Sequence, residues 1–299
     1  MKRLSDIGEF GFIDLIKKGA LKRPGVIKGI GDDTAVLSLN KDKFLLFTTD
    51  MLIEDVHFLA SAKARDIGYK AMACNISDIA AMGGIPTYAV VSIGLPVHKP
   101  LSFALNIYKG INALCRKFNA AVVGGDTVKS DKVVVNIALL GEVRKKDLVL
   151  RNGARKGDQI FVTGPLGNSL KTGRHLSFIP RVKEAQYLVR NFNPTAMIDI
   201  SDGLAADLGH ILEQSKVGAI LHEKKIPFAP GAALKNALYD GEDFELLFTL
   251  PILQAKMLLK QKGLRFYHIG EITKEREIIR IHDKNNQLRT IQAIGYKHF

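Results

Sequence analysis

Apolar and polar positions follow two different rhythms in the first half of the chain. Phe44-Leu45-Leu46-Phe47-Thr48-Thr49 and Tyr88-Ala89-Val90-Val91-Ser92-Ile93 are short apolar runs, the pattern of strands. Between them, the stretch from Ala64 to Ala81 predicts a helix, and Leu101 to Phe118 predicts a second. Ala120-Ala121-Val122-Val123 and Val133 to Leu140 read as further strands, so the first half is expected to form an α/β domain.

The rhythm breaks at the charged segment Arg144 to Asp147 and restarts at Asp158-Gln159-Ile160-Phe161-Val162-Thr163-Gly164, a strand running into a glycine turn. Helices are expected near 181–191, 203–215 and 252–262, with strands at Glu245 to Leu250, around 266–271 and around 277–282. The second half therefore predicts an α+β domain. A boundary near 144–150 divides the chain into residues 1–146 and 147–299, and 299 residues suit two cores of roughly 150 each.

Composition narrows the functional classes. Hydrophobic residues make up 46% of the chain and charged residues 24%, a globular balance that excludes a mainly disordered chain. No run approaches the roughly 20 apolar residues of a membrane span, and Met1-Lys2-Arg3-Leu4 is soon followed by Asp6 and Glu9, so a cytoplasmic protein without membrane contact is expected. Cys74 and Cys115 have no paired spacing and are expected to be buried thiols. The net charge of +13 is shared evenly, +6 over residues 1–150 and +7 over 151–299, and its densest run is only Arg144-Lys145-Lys146. Nucleic-acid binding is therefore not expected, whereas the diffuse positive field favours small anionic substrates.

Against that basic background, aspartates recur among glycines and hydroxyls. The clusters are Gly29-Ile30-Gly31-Asp32-Asp33, Thr48-Thr49-Asp50, Asn75-Ile76-Ser77-Asp78, Gly124-Gly125-Asp126-Thr127, Ile198-Asp199-Ile200-Ser201-Asp202-Gly203 and Gly241-Glu242-Asp243. Each alone has an ordinary reading as a turn or a helix cap. Six together favour a site for several hard divalent cations, which take oxygen ligands and share them with phosphates. In Thr48-Thr49-Asp50 and Gly124-Gly125-Asp126 the carboxylate follows an apolar run, which predicts a position at a strand's carboxyl end. There is no Gly-x-x-x-x-Gly-Lys-[Ser/Thr] loop, no His-Arg-Asp with Asp-Phe-Gly, and no Gly-x-Gly-x-x-Gly opening a βαβ unit.

The ordered set of motifs resembles the thiamine-monophosphate kinase family, within the aminoimidazole ribonucleotide synthetase-like superfamily. Besides the acidic clusters, it includes His57-Phe58, Gly68-Tyr69-Lys70-Ala71, Ile79-Ala80-Ala81-Met82-Gly83, Arg151-Asn152-Gly153-Ala154, Val162-Thr163-Gly164 and the closing Gly295-Tyr296-Lys297-His298-Phe299. The resemblance spans essentially the whole chain. It implies transfer of the γ-phosphoryl group of ATP to thiamine monophosphate, with several Mg²⁺ ions held by Asp33, Asp50, Asp78, Asp126, Asp199 and Asp202 and aided by the oxygens of Thr48, Thr49 and Ser201. Asp50, Asp78, Asp126 and Asp202 would carry the catalytic charge neutralisation. Tyr108, Gly125, Asp126, Arg151 and Ser201 would contact ATP, while His57, Glu242 and Tyr296 would contact thiamine monophosphate. The fold it implies is an α/β N-terminal domain whose sheet pairs with that of a second subunit, plus an α+β C-terminal domain, in a homodimer.

Two departures stand out. The family usually carries two glycines before the glutamate, whereas this chain has Asp240-Gly241-Glu242 and is expected to differ in the thiamine-side loop. Gly167-Asn168-Ser169-Leu170 has Asn where an acid is common, and the stretch that follows to Pro180-Arg181 is short. Among superfamily alternatives, a selenophosphate synthetase would want a reactive Cys near the N-terminus and a hydrogenase-maturation dehydratase a C-terminal Cys. This chain has no Cys before Cys74 and ends in His298-Phe299. Purine-pathway synthetases lack the closing pattern. A basic polyanion-binding module, with its aspartates as mere turns, is the alternative from another class.

Overall fold

Long strands and two buried helices build the first domain. In the computed structural model, which describes residues 3–296, the strands are β1 (Val26–Lys28), β2 (Ala35–Ser38), β3 (Lys43–Ile53), β4 (Ile85–Leu95), β5 (Ala121–Lys129) and β6 (Val134–Arg144). They form one sheet in the order β1-β2-β3-β6-β4-β5, antiparallel except for the β4–β5 pair. The helices of this half are α1 (Leu4–Gly19), α2 (Ala64–Ala81) and α3 (Leu101–Phe118). Alternate residues such as Leu46, Val91, Ile137 and Leu139 point from the sheet into a core shared with α2 and α3.

The two helices meet at glycines. A Cβ at Gly68 would lie 1.9 Å from the carbonyl oxygen of Ile107, and one at Gly110 would lie 1.9 Å from that of Arg65. No side chain fits there, so the backbones are in contact.

The second domain carries β7 (Gln159–Val162), β8 (Ala196–Asp199), β9 (Gly218–His222), β10 (Leu246–Leu250), β11 (Tyr267–Thr273), β12 (Ile279–His282) and β13 (Leu288–Ile291). Their order is β13-β12-β9-β11-β7-β10-β8, with β9–β12 the parallel pair. Its helices are α4 (Ser169–Thr172), α5 (Val182–Asn191), α6 (Leu204–Ser215), α7 (Leu234–Tyr239) and α8 (Ile252–Lys260). The break between the sheets falls between Arg144 and Gln159.

Helix α2 is buried around most of its circumference, because β3, β4 and β6 cover one side while β8 and α5 cover another. It therefore sits at the seam of the two domains. One hydrophobic core runs through that seam, from Val36 and Met72 to Phe161, Leu188 and Phe248. Cys74 and Cys115 are both buried and free. Among the described residues no helix is long and apolar enough to cross a membrane.

The other face of the first sheet is open. Phe47, Met51, Tyr88 and Val90 are 45%, 51%, 54% and 42% exposed, although large apolar side chains on a sheet face are normally covered.

Two acidic motifs expected at strand ends lie inside strands instead, Asp50 within β3 and Gly124-Gly125-Asp126 continuing β5, whereas Asp78 lies within α2, the helix expected from Ala64 to Ala81. Pairing with a long neighbour outweighs the local turn preference of glycine: β4 is hydrogen-bonded along β5 from Tyr88–Ala121 to Leu95–Lys129.

Candidate active site

The site forms where the seam helix meets one strand from each sheet. Ser77 and Asp78 are consecutive on α2, so their side chains diverge by about 100°. Asp78 accepts a hydrogen bond from the Thr48 hydroxyl on β3 at 2.5 Å, and the Ser77 hydroxyl donates to Asp199 at the end of β8, also at 2.5 Å. Asp33, in the turn before β2, completes a group in which carboxylate oxygens of Asp33, Asp78 and Asp199 all lie within 4.8 Å of one another. Two unit charges at that separation repel by about 3 kcal/mol even at an effective dielectric constant near 20. Three clustered carboxylates, two of them buried, cannot all remain ionised there without positive charge.

Arg151 supplies part of it. Its guanidinium donates to Asp33 at 2.6 Å, while its backbone N–H donates to Asp32 at 3.2 Å, and Lys28 lies 3.3 Å from Asp32. One cation does not balance the group. Burial, with the like charges of Asp199 and Asp32, pushes Asp33 up to about 7. Asp199 is pushed to about 6 by burial, and Asp78 is raised by burial and by Asp50, Asp199 and Asp33. The second carboxylate oxygen of Asp33 is buried and has no hydrogen-bond partner. An orphaned anionic oxygen in an all-oxygen cluster fits a hard divalent cation better than it fits a proton alone.

A cavity of ≈340 Å³ opens beside the cluster. Asp50, Asp78, Ser201, Asp202, His57, Glu242 and Tyr296 line it, together with Thr49 and Asp240. Burial raises Asp50 and Asp202 to about 6, with Glu242 adding to the first and Glu9 to the second. Asp207 and His210 approach Asp202 in a second group of metal-capable side chains, but the Asp207 carboxylate already accepts from the N–H groups of Asp202 and Gly203, both at 3.1 Å.

The far end of the cavity is held by backbone contacts. The Ile53 N–H donates to Nδ1 of His57 at 3.0 Å, which leaves Nε2 as the proton-bearing nitrogen of the neutral ring. Glu242 and Phe244 adopt positive φ angles of 57° and 50° around the 241–244 loop. Such conformations cost about 1–3 kcal/mol each and persist only where the surroundings enforce them. Here the Glu242 and Phe244 N–H groups donate to the carbonyls of Ser201 and Ile200 at 2.6 and 2.8 Å. The Tyr296 N–H donates to the Asp202 carbonyl at 3.1 Å, bringing the C-terminal segment to the cavity. The rest of the closing motif, Lys297-His298-Phe299, lies outside the described residues.

The Asp240 departure is benign to the backbone. Asp240 has helical angles, φ −72° and ψ −31°, that need no glycine, while Gly241 keeps the positive φ of 70°. The Asp240 carboxylate accepts from the Asn168 N–H at 3.3 Å and from the Asn236 amide at 3.1 Å. The Asn168 side-chain amide donates instead to the Pro230 carbonyl at 3.4 Å, a bond that a carboxylate at 168 could not make.

Two expected site residues, Tyr108 and Asp126, lie elsewhere. Tyr108 is half-buried on α3, packed against the core. Across the sheet, Asp50 stands in register with Ile137, Val91 and Gly125, whereas Asp126 stands in register with Ser92, Asn136 and Met51. Asp126 therefore faces the open side of the sheet, three strand spacings or about 14 Å from β3. It is exposed, and its carboxylate accepts the Thr127 N–H at 2.9 Å. Thr49 shares that face and bonds Asn136 at 3.3 Å through its hydroxyl, while also lining the cavity.

Lys70, Ser77 and Asp32 lie within the quoted motifs but were assigned no role in the site, and Asp207 lies outside every motif. Lys70 had a signal, a lone cation in the apolar stretch Ile67 to Ile76 of a helix buried on most sides. Ser77 takes its place in the site only where the two domains meet, whereas Asp207 takes its place by capping the turn before its own helix.

Two mixed sheets joined by a buried helix, with carboxylates from both gathered at the seam, define an AIR synthase related protein. Residues 31–143 match the N-terminal domain family of that description and residues 168–283 its C-terminal domain family. Within that class the chain belongs to the thiamine-monophosphate kinase family. It is 36% identical to the thiamine-monophosphate kinase of Aquifex aeolicus (strain VF5), over 99% of this chain and 100% of that protein. It is 33% identical to that of Bacillus subtilis (strain 168), over 97% and 99% respectively. The solved structure of AaThiL complexed with AMPPCP and TMP superposes with a TM-score of 0.88 at 33% identity, covering 100% of this chain and 99% of that one.

Proposed function

We propose that this chain transfers the γ-phosphoryl group of ATP to thiamine monophosphate, forming thiamine diphosphate and ADP. The observation that carries the reading is the meeting of Asp33, Asp78 and Asp199 from both domains, with an orphaned carboxylate oxygen, beside a cavity lined by His57, Glu242 and Tyr296. A full-length family relative bound to AMPPCP and TMP supports both substrates.

The reacting groups are both anionic, and six acids line the cavity, so direct approach would be repulsive. Asp33, Asp50, Asp78, Asp199 and Asp202, with Thr48 supplying a neutral oxygen, would hold Mg²⁺. When bound, the metal neutralises phosphate charge and holds the phosphates in line. Arg151 offers a guanidinium at the same cluster for an ATP phosphate, at present engaged by Asp33. An oxygen of the acceptor phosphate forms the new P–O bond to the γ-phosphorus as the bond to the β–γ bridging oxygen breaks and ADP departs. That oxygen is already ionised, so no general base is required. His57, Glu242 and Tyr296 would orient the thiamine moiety, the Tyr296 ring by stacking.

We also propose a homodimer through the open sheet face, with Asp126 contributing to nucleotide and metal binding across it, and Gly125 and Tyr108 contacting the nucleotide from the other side of the sheet. Asp126 points to that face rather than to its own chain's cluster, which is why a second copy is invoked.

The test is turnover. Purified protein with ATP and Mg²⁺ is expected to convert thiamine monophosphate to thiamine diphosphate and to leave unphosphorylated thiamine unchanged. Absence of thiamine diphosphate would reject the substrate.

A further inference from the structure

Lys70 lies on α2 with no solvent exposure, which is unusual for lysine, and desolvating an ammonium is costly unless it is fully paired. Its Nζ donates to the His57 carbonyl at 2.8 Å and forms an ion pair with the Glu242 carboxylate. His57 lies in the loop after β3, and Glu242 lies in the strained loop before β10. The two loops belong to different domains, and both line the cavity while Lys70 itself does not. The ammonium thus ties the walls of one end of the cavity from behind.

We propose that Lys70 is a positioning residue that sets the acceptor end of the site, fixing the Glu242 carboxylate in the geometry that receives the acceptor's organic moiety, with the His57 carbonyl holding the ammonium in place. This rests on the assignment of that end of the cavity to the acceptor. Two features separate it from a merely structural role. The pair is anchored to a carboxylate that faces the cavity rather than to core atoms. It makes no bond to Asp33 or Arg151, although its charges reach Asp50 and Asp202, so its loss should act chiefly on the acceptor.

The experiment compares wild type, K70M, E242Q and the double variant K70M/E242Q, measuring acceptor KM, ATP KM and kcat, with a thermal melt for each protein. Wild-type turnover of thiamine monophosphate is the control, and its failure would refute the proposed function independently of Lys70. K70M is expected to raise acceptor KM by about tenfold or more while ATP KM stays within about twofold, the signature of lost acceptor binding. In the E242Q background the same K70M change is expected to alter acceptor KM by no more than about twofold, because Lys70 acts through Glu242. If K70M does not fold, the double variant, which leaves no buried unpaired carboxylate, is compared with E242Q alone. A ratio near one supports the proposal and a tenfold ratio overturns it. Equal rises in both KM values for K70M, or unchanged acceptor KM, would also overturn it.

Discussion

The Ser77 hydroxyl donates to the Asp199 carboxylate at 2.5 Å, joining the helix packed on the first sheet to the edge strand of the second. Asp78, one residue on, accepts from Thr48 of the first sheet. Adjacent residues on one helix therefore fix the distance between carboxylates that belong to different domains.

Ser77→Ala is expected to weaken this link without emptying the core. A hydrogen bond to a charged group is worth about 1.5–3 kcal/mol, and Asp199 would be freed to rotate away from Asp33 and Asp78. The Mg²⁺ concentration for half-maximal activity is expected to rise several-fold, read from a metal titration at saturating substrates. An unchanged titration would remove Ser77 from the site.

The metal-free protein is expected to be more stable at pH 5 than at pH 8. Asp33 is raised to about 7 and Asp50, Asp199 and Asp202 to about 6, so between pH 4 and 7 the folded state holds more protons than the unfolded state. Their contribution is present below pH 4 and is lost as pH rises through 6–7. His210, lowered by burial to about 4, opposes this over the lower part of the range, as do His175, His222 and His268, also lowered by burial, but Asp32, Asp78, Asp207 and Asp243 are raised by burial too and add to the four named. Melting in EDTA at the two pH values gives the sign. Added Mg²⁺ is expected to raise Tm more at pH 8, where it does not compete with protons.

Gly68→Ala and Gly110→Ala are expected to lower Tm sharply, because each methyl group would enter a neighbouring helix backbone at 1.9 Å. Overpacking of this kind costs about 1–3 kcal/mol or more, and rigid backbone atoms place it at the upper end. Thermal melts of both variants check it, and wild-type Tm would contradict the packing.

The rhythm of apolar positions was enough to locate α2 and α3, and most long strands, because those elements carry the two cores. It did not reveal α1, which has no buried residue and hence no apolar stripe, or short elements such as β1, β2, β8, β9, α7 and β13. Within the site, Asp33, Asp78 and Asp199 were legible as oxygen donors, as acids in a basic chain. Asp126 looked the same by that criterion, yet register across three strands turns it to the open face, a consequence of sheet order that no local pattern encodes. Lys70 was passed over because a lysine in a helix normally reads as a solvated charge.

Asp126 provides a test of the subunit arrangement. If its role is exercised across a dimer, D78N and D126N are each expected to be inactive alone, and a mixture refolded or co-expressed is expected to regain part of the activity in mixed dimers. Recovery at neither site, with a monomer by light scattering, would contradict the dimer. Tyr88→Asp on the open face is expected to give monomers by the same measurement.

The claim beneath all of this is that ATP is held through metal bridged by carboxylates of both domains. Calorimetric titration of AMPPCP into the wild-type protein, with Mg²⁺ and then with EDTA, tests it most directly. Saturable binding with Mg²⁺ that disappears in EDTA, and is lost in D78N, is the expected result. Equal affinity with and without the metal would contradict it.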